Sequence, residues 1–423
     1  MLSTLRNAWK VPELRKRLLF TLFVIVLFRM GNNIPVPGVD AAVIAQSVQS
    51  GTTIFSFYDL FSGGAFSNFS IFALAVTPYI NASIIFSLLA VAIPSLENIQ
   101  KEGQEGRKKI QKYTKYASLV FAVIMSFGTI ALISNFGALK DTSALSITLI
   151  VITLTTGSTI LMWLGDQITA HGLGNGVSLI IFANIISRLP SDFMKLFNNS
   201  SISVVSIVIY IAITLALLVG VIIVNMSERR IPVQYAGKAV GGKVYKGQNS
   251  HIPVNVNGSI VIAIIFAMTV MNFPATIGMF FQGNKFFDTL LNSNWSIFNP
   301  KSFPYAIAFF LLIIFFCWFY TEIQLKPEEM AENMHKSSGF IPGVRPGEPT
   351  RIFLEKVIGR ISVLGGCFAG IIAVFPIIIA HNPSFEGLTF GGTSLLIMVS
   401  VAVETMKTLE SQLVMRHYQG FLK

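Results

Sequence analysis

Asp59 and Asp166 come first, because two carboxylates sharing one proton are the working part of an aspartyl protease. Each stands beside apolar sequence, in Tyr58-Asp59 and Gly165-Asp166, as intramembrane proteases of that class require. The five histidines (His171, His251, His335, His381 and His417) are too dispersed for a metal motif, and neither HExxH nor GxSxG occurs. GLGNG at 172–176 superficially resembles a nucleotide loop, yet it lacks the GxGxxG spacing and follows an apolar run rather than a strand. Cys317 and Cys367 both lie in apolar runs, which fits neither a disulfide framework nor a metal cluster. Leaving the aspartate pair aside, the expectation is a protein that is not an enzyme and uses no cofactor and no metal.

The elements that must position these side chains decide the protease question. Of the 423 residues, 53% are hydrophobic and only 12% are charged, with a mean hydropathy of +0.67. Soluble domains carry about a quarter charged residues, so this is a polytopic membrane protein. Crossing a bilayer takes about 20 mostly apolar residues per helix. Ten segments qualify: 18–36, 71–93, 117–135, 144–164, 173–189, 203–226, 258–281, 304–324, 358–380 and 393–413. The first is not a cleaved signal peptide, since no small-x-small site follows its apolar stretch.

Ten spans put both termini on one side, and the net charge of +11 says which. The termini, the loops near 94–116, 165–176, 227–257 and 325–357, and the adjoining span ends hold 25 Lys and Arg against 14 Asp and Glu. The opposite loops hold five basic residues against six acids. That bias puts both termini in the cytoplasm. Asp59 then belongs to an outer loop and Asp166 to a cytoplasmic one, so they cannot share a proton.

The loops 227–257 and 325–357 are basic, rich in Gly and Pro, and long for connectors. They are either solvated orientation signals or docking surfaces for an acidic partner or RNA phosphate. Gln234 and Tyr235 beside Arg229 and Arg230 add hydrogen-bonding and stacking capacity that orientation alone would not need. Five spans on either side of a connector at 190–202 suggest two halves related by an inverted repeat. FSFYDLFSGGAFSNFS, before the second span, is aromatic and broken at Gly63-Gly64. It is either an interfacial loop or a re-entrant element, since irregular backbone at membrane depth is tolerated only beside a water-filled cavity. Thr77-Pro78-Tyr79 predicts a kink inside the second span. The span interiors hold almost no ionisable residues: Arg29 lies near one end of the first, and Glu404 and Lys407 near the end of the tenth. No proton relay is visible, so a passive path is favoured over a secondary transporter or flippase.

The chain resembles the SecY family, the central subunit of the bacterial protein-translocation channel, over nearly its whole length. The motifs occur in family order: RLLFTLFVIVLFRMGNNIPVPGVD, FSGGAFSNFSIFALAVTPYINASII, KEGQEGRKKIQKYTKY, LMWLGDQITAHGLGNGVSLIIFANI, RRIPVQYA with HIPVNVN, FPATI, GFIPGVRPGEPT and FGGTSLLI. The resemblance implies an all-α clamshell of ten transmembrane helices in two inverted, pseudo-symmetric halves: residues 1–190, an external hinge at 191–202, and residues 203–423. It implies an hourglass pore whose waist is a ring of Val76, Ile80, Val177, Ile181, Ile265 and Ile397. Apolar side chains bind no ion and dewet a narrow constriction, yet they part around an extended polypeptide. It also implies a plug of about 61–70, led by Phe61, Ser62, Gly63, Gly64, Ala65 and Phe66. The lateral gate would be built from Pro78, Asn81 and Ile84 on the second span and Met268, Asn272 and Pro274 on the seventh.

Docking of a SecA-type motor ATPase or the ribosome would fall to Arg229, Arg230, Gln234, Tyr235, Arg345, Pro346 and Gly347. Small SecE-like and SecG-like membrane subunits, a secretory preprotein with its signal sequence, and the lipid bilayer complete the implied partners. The channel itself would hydrolyse nothing. Ala263 stands where relatives often carry a proline, and Val177 where the ring usually has isoleucine.

Overall fold

The computed structural model describes residues 2–49, 59, 62–198, 204–235, 238–240, 243–245, 249–255, 257–278, 281, 285–293, 295–300, 302–379 and 392–421. Phe61 of the expected plug lies outside them. The helices are α1 (Leu2–Lys10), α2 (Pro12–Gly31), α3 (Ala41–Gln49), α4 (Thr77–Ala92), α5 (Pro94–Lys101), α6 (Gln104–Asn135), α7 (Ala144–His171), α8 (Gly176–Asn198), α9 (Val204–Met226), α10 (Asn257–Gly278), α11 (Lys285–Asn292), α12 (Phe303–Leu325), α13 (Pro327–Lys336), α14 (Glu348–Ile379) and α15 (Gly392–Phe421). Helices stand over all ten expected spans. Among the described residues, seven helices are long and apolar enough to cross a membrane, or eight if the bent pair α4 and α5 is one span. The other two fall short for visible reasons: α2 opens on the charged PELRKR, and the apolar part of α8 is only Gly176–Ser191.

Prolines and serines set many of the helix starts. Pro12, Pro78, Pro94, Pro304 and Pro327 occupy first-turn positions, where a missing N–H costs nothing. Ser143 Oγ accepts from the Ser146 N–H at 3.3 Å, and Ser302 Oγ from the Tyr305 N–H at 3.1 Å. Ile93, ahead of Pro94, is extended, as a residue before proline prefers. There the chain turns by 99° into α5.

One expectation is corrected here. The second span does not begin at 71: residues 63–76 are a chain of turns, and the helix starts only at Thr77. Pro78 therefore opens α4 and does not kink it. The turns are nonetheless buried, with Ala65, Phe66, Phe69, Leu74 and Val76 each at 1% exposure or less. Hydropathy cannot separate a buried turn from a buried helix.

The chain forms two compact units, 1–200 with 272–300 and 404–423, and 201–271 with 301–403. In the first, Phe66, Phe69 and Leu74 join Val36, Ile133, Ile150 and Leu154 in one apolar cluster. A smaller cluster of Ala8, Leu14, Leu173 and Leu409 ties down the N-terminal helix. GLGNG receives a structural explanation in this unit. Asn175 Oδ1 accepts the N–H groups of Val177 (3.1 Å) and Ser178 (3.3 Å), which starts α8. A Cβ on Gly176 would come within 2.0 Å of the Gly165 carbonyl oxygen, so only glycine lets α8 approach α7 this closely.

In the second unit, Gly366 and Gly370 let α14 lie against Ile314 and Phe310 of α12. Ser400 Oγ donates to Asn225 Oδ1 at 3.0 Å, joining α15 to α9. The two long basic loops hold the strands β1 (Arg229–Tyr235), β2 (Lys238–Val240), β3 (Lys243–Tyr245), β4 (Asn249–Val254) and β5 (Gly339–Phe340). They form an antiparallel sheet in the order β4-β1-β5 and a separate β2-β3 hairpin. Ile231 and Val233, alternate residues of β1, are buried against Ala331 and Met334 of α13 and Leu354 and Ile358 of α14. The described parts of these loops thus carry regular secondary structure.

Candidate functional site

The segment ahead of α4 is held by polar contacts from both sides. Arg29 of α2 donates from Nη1 to the Gly63 carbonyl at 3.2 Å, and Asn32 Nδ2 to the Ser62 carbonyl at 3.4 Å. Ser62 Oγ donates to the Asp59 carbonyl (3.2 Å) and accepts the Phe66 N–H (2.9 Å), closing the turn on itself. Gly63 (φ +62°) packs on Asn184 of α8, whose Cα would lie 2.8 Å from a Cβ placed there. Of the expected plug residues, Ser62, Gly63, Ala65 and Phe66 are buried in this clasp, and Gly64 (φ +90°) is half-buried with open space where a Cβ would stand. Downstream, Ser158 Oγ of α7 donates to the Ala75 carbonyl at 3.1 Å.

The two aspartates do different work. Asp59 is buried and contacts Arg188 of α8 at 2.8 Å, whereas the half-exposed Asp166 pairs with Lys115 of α6 at 2.6 Å. Each carboxylate has its own cation, so they do not form a proton-sharing dyad. Arg188, Asn184 and Ser67 were not singled out from sequence. A cation and an amide toward the end of the apolar part of α8, Gly176–Ser191, are the available signal.

The expected ring residues divide between the units. Val76 (0% exposed), Ile80 (8%) and Ile181 (3%) are buried in the first unit, with Val177 half-buried. Val177 and Ile181 stand at i and i+4 on α8 and so share one face of it. Ile265 on α10 is half-buried and Ile397 on α15 buried (2%), both in the second unit. Among the expected gate residues, Pro78 and Ile84 are buried on α4, and Asn81 Nδ2 lies 3.7 Å from Met125 Sδ. On α10, Met268 is buried, Asn272 and Pro274 are half-buried, and Thr276 Oγ1 donates to the Asn272 carbonyl at 3.1 Å.

The expected docking residues lie on or beside the sheet of the second unit. Arg229 and Arg230 are exposed, and Arg230 Nε pairs with Glu228 at 2.7 Å. Gln234 pairs in register with Asn249 and Phe340, so its backbone is committed to the sheet. Tyr235 packs against the apolar cluster, with its ring 2.9 Å from where a Cβ of Gly339 would stand. Arg345 and Pro346 are exposed at a loop tip between Gly343 (φ +84°) and Gly347 (φ +94°).

The family model described as SecY matches residues 70–406. The protein translocase subunit SecY of Corynebacterium glutamicum is 40% identical, and that of Mycobacterium tuberculosis 38%, each comparison covering 100% of both chains. Among solved structures, one described as a protein-conducting channel superposes with a TM-score of 0.65 at 19% identity over 96% of each chain. Another, described by the role of its plug domain in stabilising the closed state, gives a TM-score of 0.66 at 20% identity over 96% of each chain. Canine Sec61 in a ribosome–channel complex gives 0.62 at 18% identity, again over 96% of each.

Proposed function

The chain belongs to the SecY family, and from that premise we propose that it is the passive protein-conducting subunit of a translocase in the cell membrane, with both termini in the cytoplasm. It passes unfolded secretory polypeptides across the membrane and releases transmembrane segments sideways into lipid. The observation that carries this is the end-to-end match to translocase subunits, SecY in name, at about 40% identity. Buried aliphatic side chains at Val76, Ile80, Ile181 and Ile397 support a waist that seals without binding ions. The polar clasp around Ser62 and Gly63 supports a plug at about 61–70 that closes the outer funnel. The ordered β4-β1-β5 platform, with Arg229, Arg230 and Arg345 exposed, supports docking of a SecA-type motor or of ribosomal RNA. Energy for movement comes from that partner, and SecE-like and SecG-like subunits complete the assembly.

A photo-crosslinking residue at Ile80 or Ile181 tests the pore. A secretory chain stalled in transit is expected to label both, while the same probe at Ile152, 59% exposed on α7, labels none of it. Translocation that proceeds without labelling at either ring position overturns the assignment.

A further inference from the structure

Asp59 is an acidic residue only 2% exposed, and it lies just ahead of the segment taken above as the plug. Its Oδ2 lies 2.8 Å from Arg188 Nη1, with side-chain exposures of 3% and 18%. Its Oδ1 accepts both the Ser67 N–H (2.9 Å) and Ser67 Oγ–H (3.0 Å). One carboxylate thus hydrogen-bonds the far end of the 62–67 turn with one oxygen and meets the charge of Arg188 on α8 with the other, a contact of charges rather than an aligned hydrogen bond. Gly64 N–H adds a 3.3 Å bond to the Asp59 carbonyl. Two further anchors of this turn, Arg29 to Gly63 and Asn32 to Ser62, reach its backbone.

The distinction matters for opening. Apolar contacts such as those of Phe66 fade gradually as surfaces part and are replaced by whatever apolar surface arrives. A buried ion pair behaves differently, because separating it strands two charges until water reaches both. A carboxylate buried as deeply as Asp59 calls for a compensating charge, and Arg188 supplies it within ion-pair distance.

We propose that Asp59 and Arg188 form a latch that holds the plug shut, a positioning pair whose separation sets the threshold for plug displacement. The latch rests on the plug reading above. In the shut state the pair ties the 62–67 turn to α8. In the open state both charges are hydrated and the turn is released.

The test is the ion leak of idle membrane vesicles carrying the whole translocase, normalised to the amount of inserted chain. Asp59→Asn and Arg188→Gln are each expected to raise the leak about tenfold or more, the usual direction when one partner of a buried pair is removed. The swap Asp59→Arg with Arg188→Asp is expected to bring the leak back toward that of the unaltered chain. Deleting 62–67 sets the leak of an unplugged channel. If the deletion does not leak, the plug reading itself fails. If the deletion leaks and both single variants stay tight, the plug stands and the latch is overturned. Where a single variant does not insert, the swap decides: a tight swap supports the pair, and a swap that leaks like the deletion overturns it.

Discussion

Arg345→Glu is expected to cripple motor-driven export while leaving the chain inserted and folded. The loop tip that carries it is fixed from within. Ile341 is buried in the cluster beneath the sheet, Val344 N–H bonds the Ile341 carbonyl at 3.0 Å, and Thr350 Oγ1 donates to the Arg345 carbonyl at 2.8 Å. These contacts use backbone atoms of Arg345 and leave its guanidinium in solvent. Arg351 differs: it pairs with Glu348 and Glu355 on its own helix, so its charge is already balanced locally. Reversing Arg345 turns an attraction for an acidic partner into a like-charge contact, worth several kcal/mol at about tenfold per 1.4 kcal/mol. Export by inverted membrane vesicles with added motor should fall about a hundredfold or more on that scale. The unfolding temperature should move little, since an exposed side chain away from caps and core contributes within about 0.5 kcal/mol. Normal export by this variant removes the docking role of Arg345.

Seven of the ten expected spans, or eight with the bent pair, are legible because a span advertises itself by composition, and a described helix overlaps each of the ten. Chain order carried the motifs in the same way. What composition could not carry was backbone path inside an apolar stretch. Residues 71–76 read as IFALAV and form buried turns, with Ala75 at φ +50° and the segment bridged to α2's exit through Pro35 and Ser70. The strands were missed for the opposite reason. RRIPVQY carries a proline and alternates weakly, and its partner HIPV lies across a Gly- and Lys-rich connector, so no hairpin signal marks the pairing. Asp59 and Arg188 lie far apart in the sequence, and each alone resembles a stray loop charge. Only the fold joins them.

Gly157→Val should have the largest effect on folding of any single glycine replacement near the plug. Gly157 lies on α7 where the 71–76 turns cross it, and even a Cβ there would stand 1.8 Å from the Ile71 carbonyl oxygen. That obstacle is backbone, so it cannot rotate away as a side chain can. The turns are pinned on either side, by Ile71 N–H to the Ile34 carbonyl at 3.0 Å and by Ser158 Oγ to the Ala75 carbonyl at 3.1 Å. Accommodating valine requires breaking one of these or moving α7 out of its cluster. The cost should exceed the about 1–3 kcal/mol of ordinary overpacking. Gly64→Ala is the contrast. It has nothing within 4 Å of its Cβ and pays only for its left-handed φ of +90°, about 1–2 kcal/mol. Apparent unfolding temperature at a fixed scan rate in mild detergent, together with the amount of inserted chain, separates the two. Gly157→Val should insert poorly or melt far below Gly64→Ala. Because Ile71 directly follows the Ser70 bridge to Pro35, whatever fraction does fold should also leak ions when idle. A Gly157→Val chain that melts like the unaltered one would mean that the turns do not rest on α7, and the seating of the whole segment ahead of α4 would have to be redrawn.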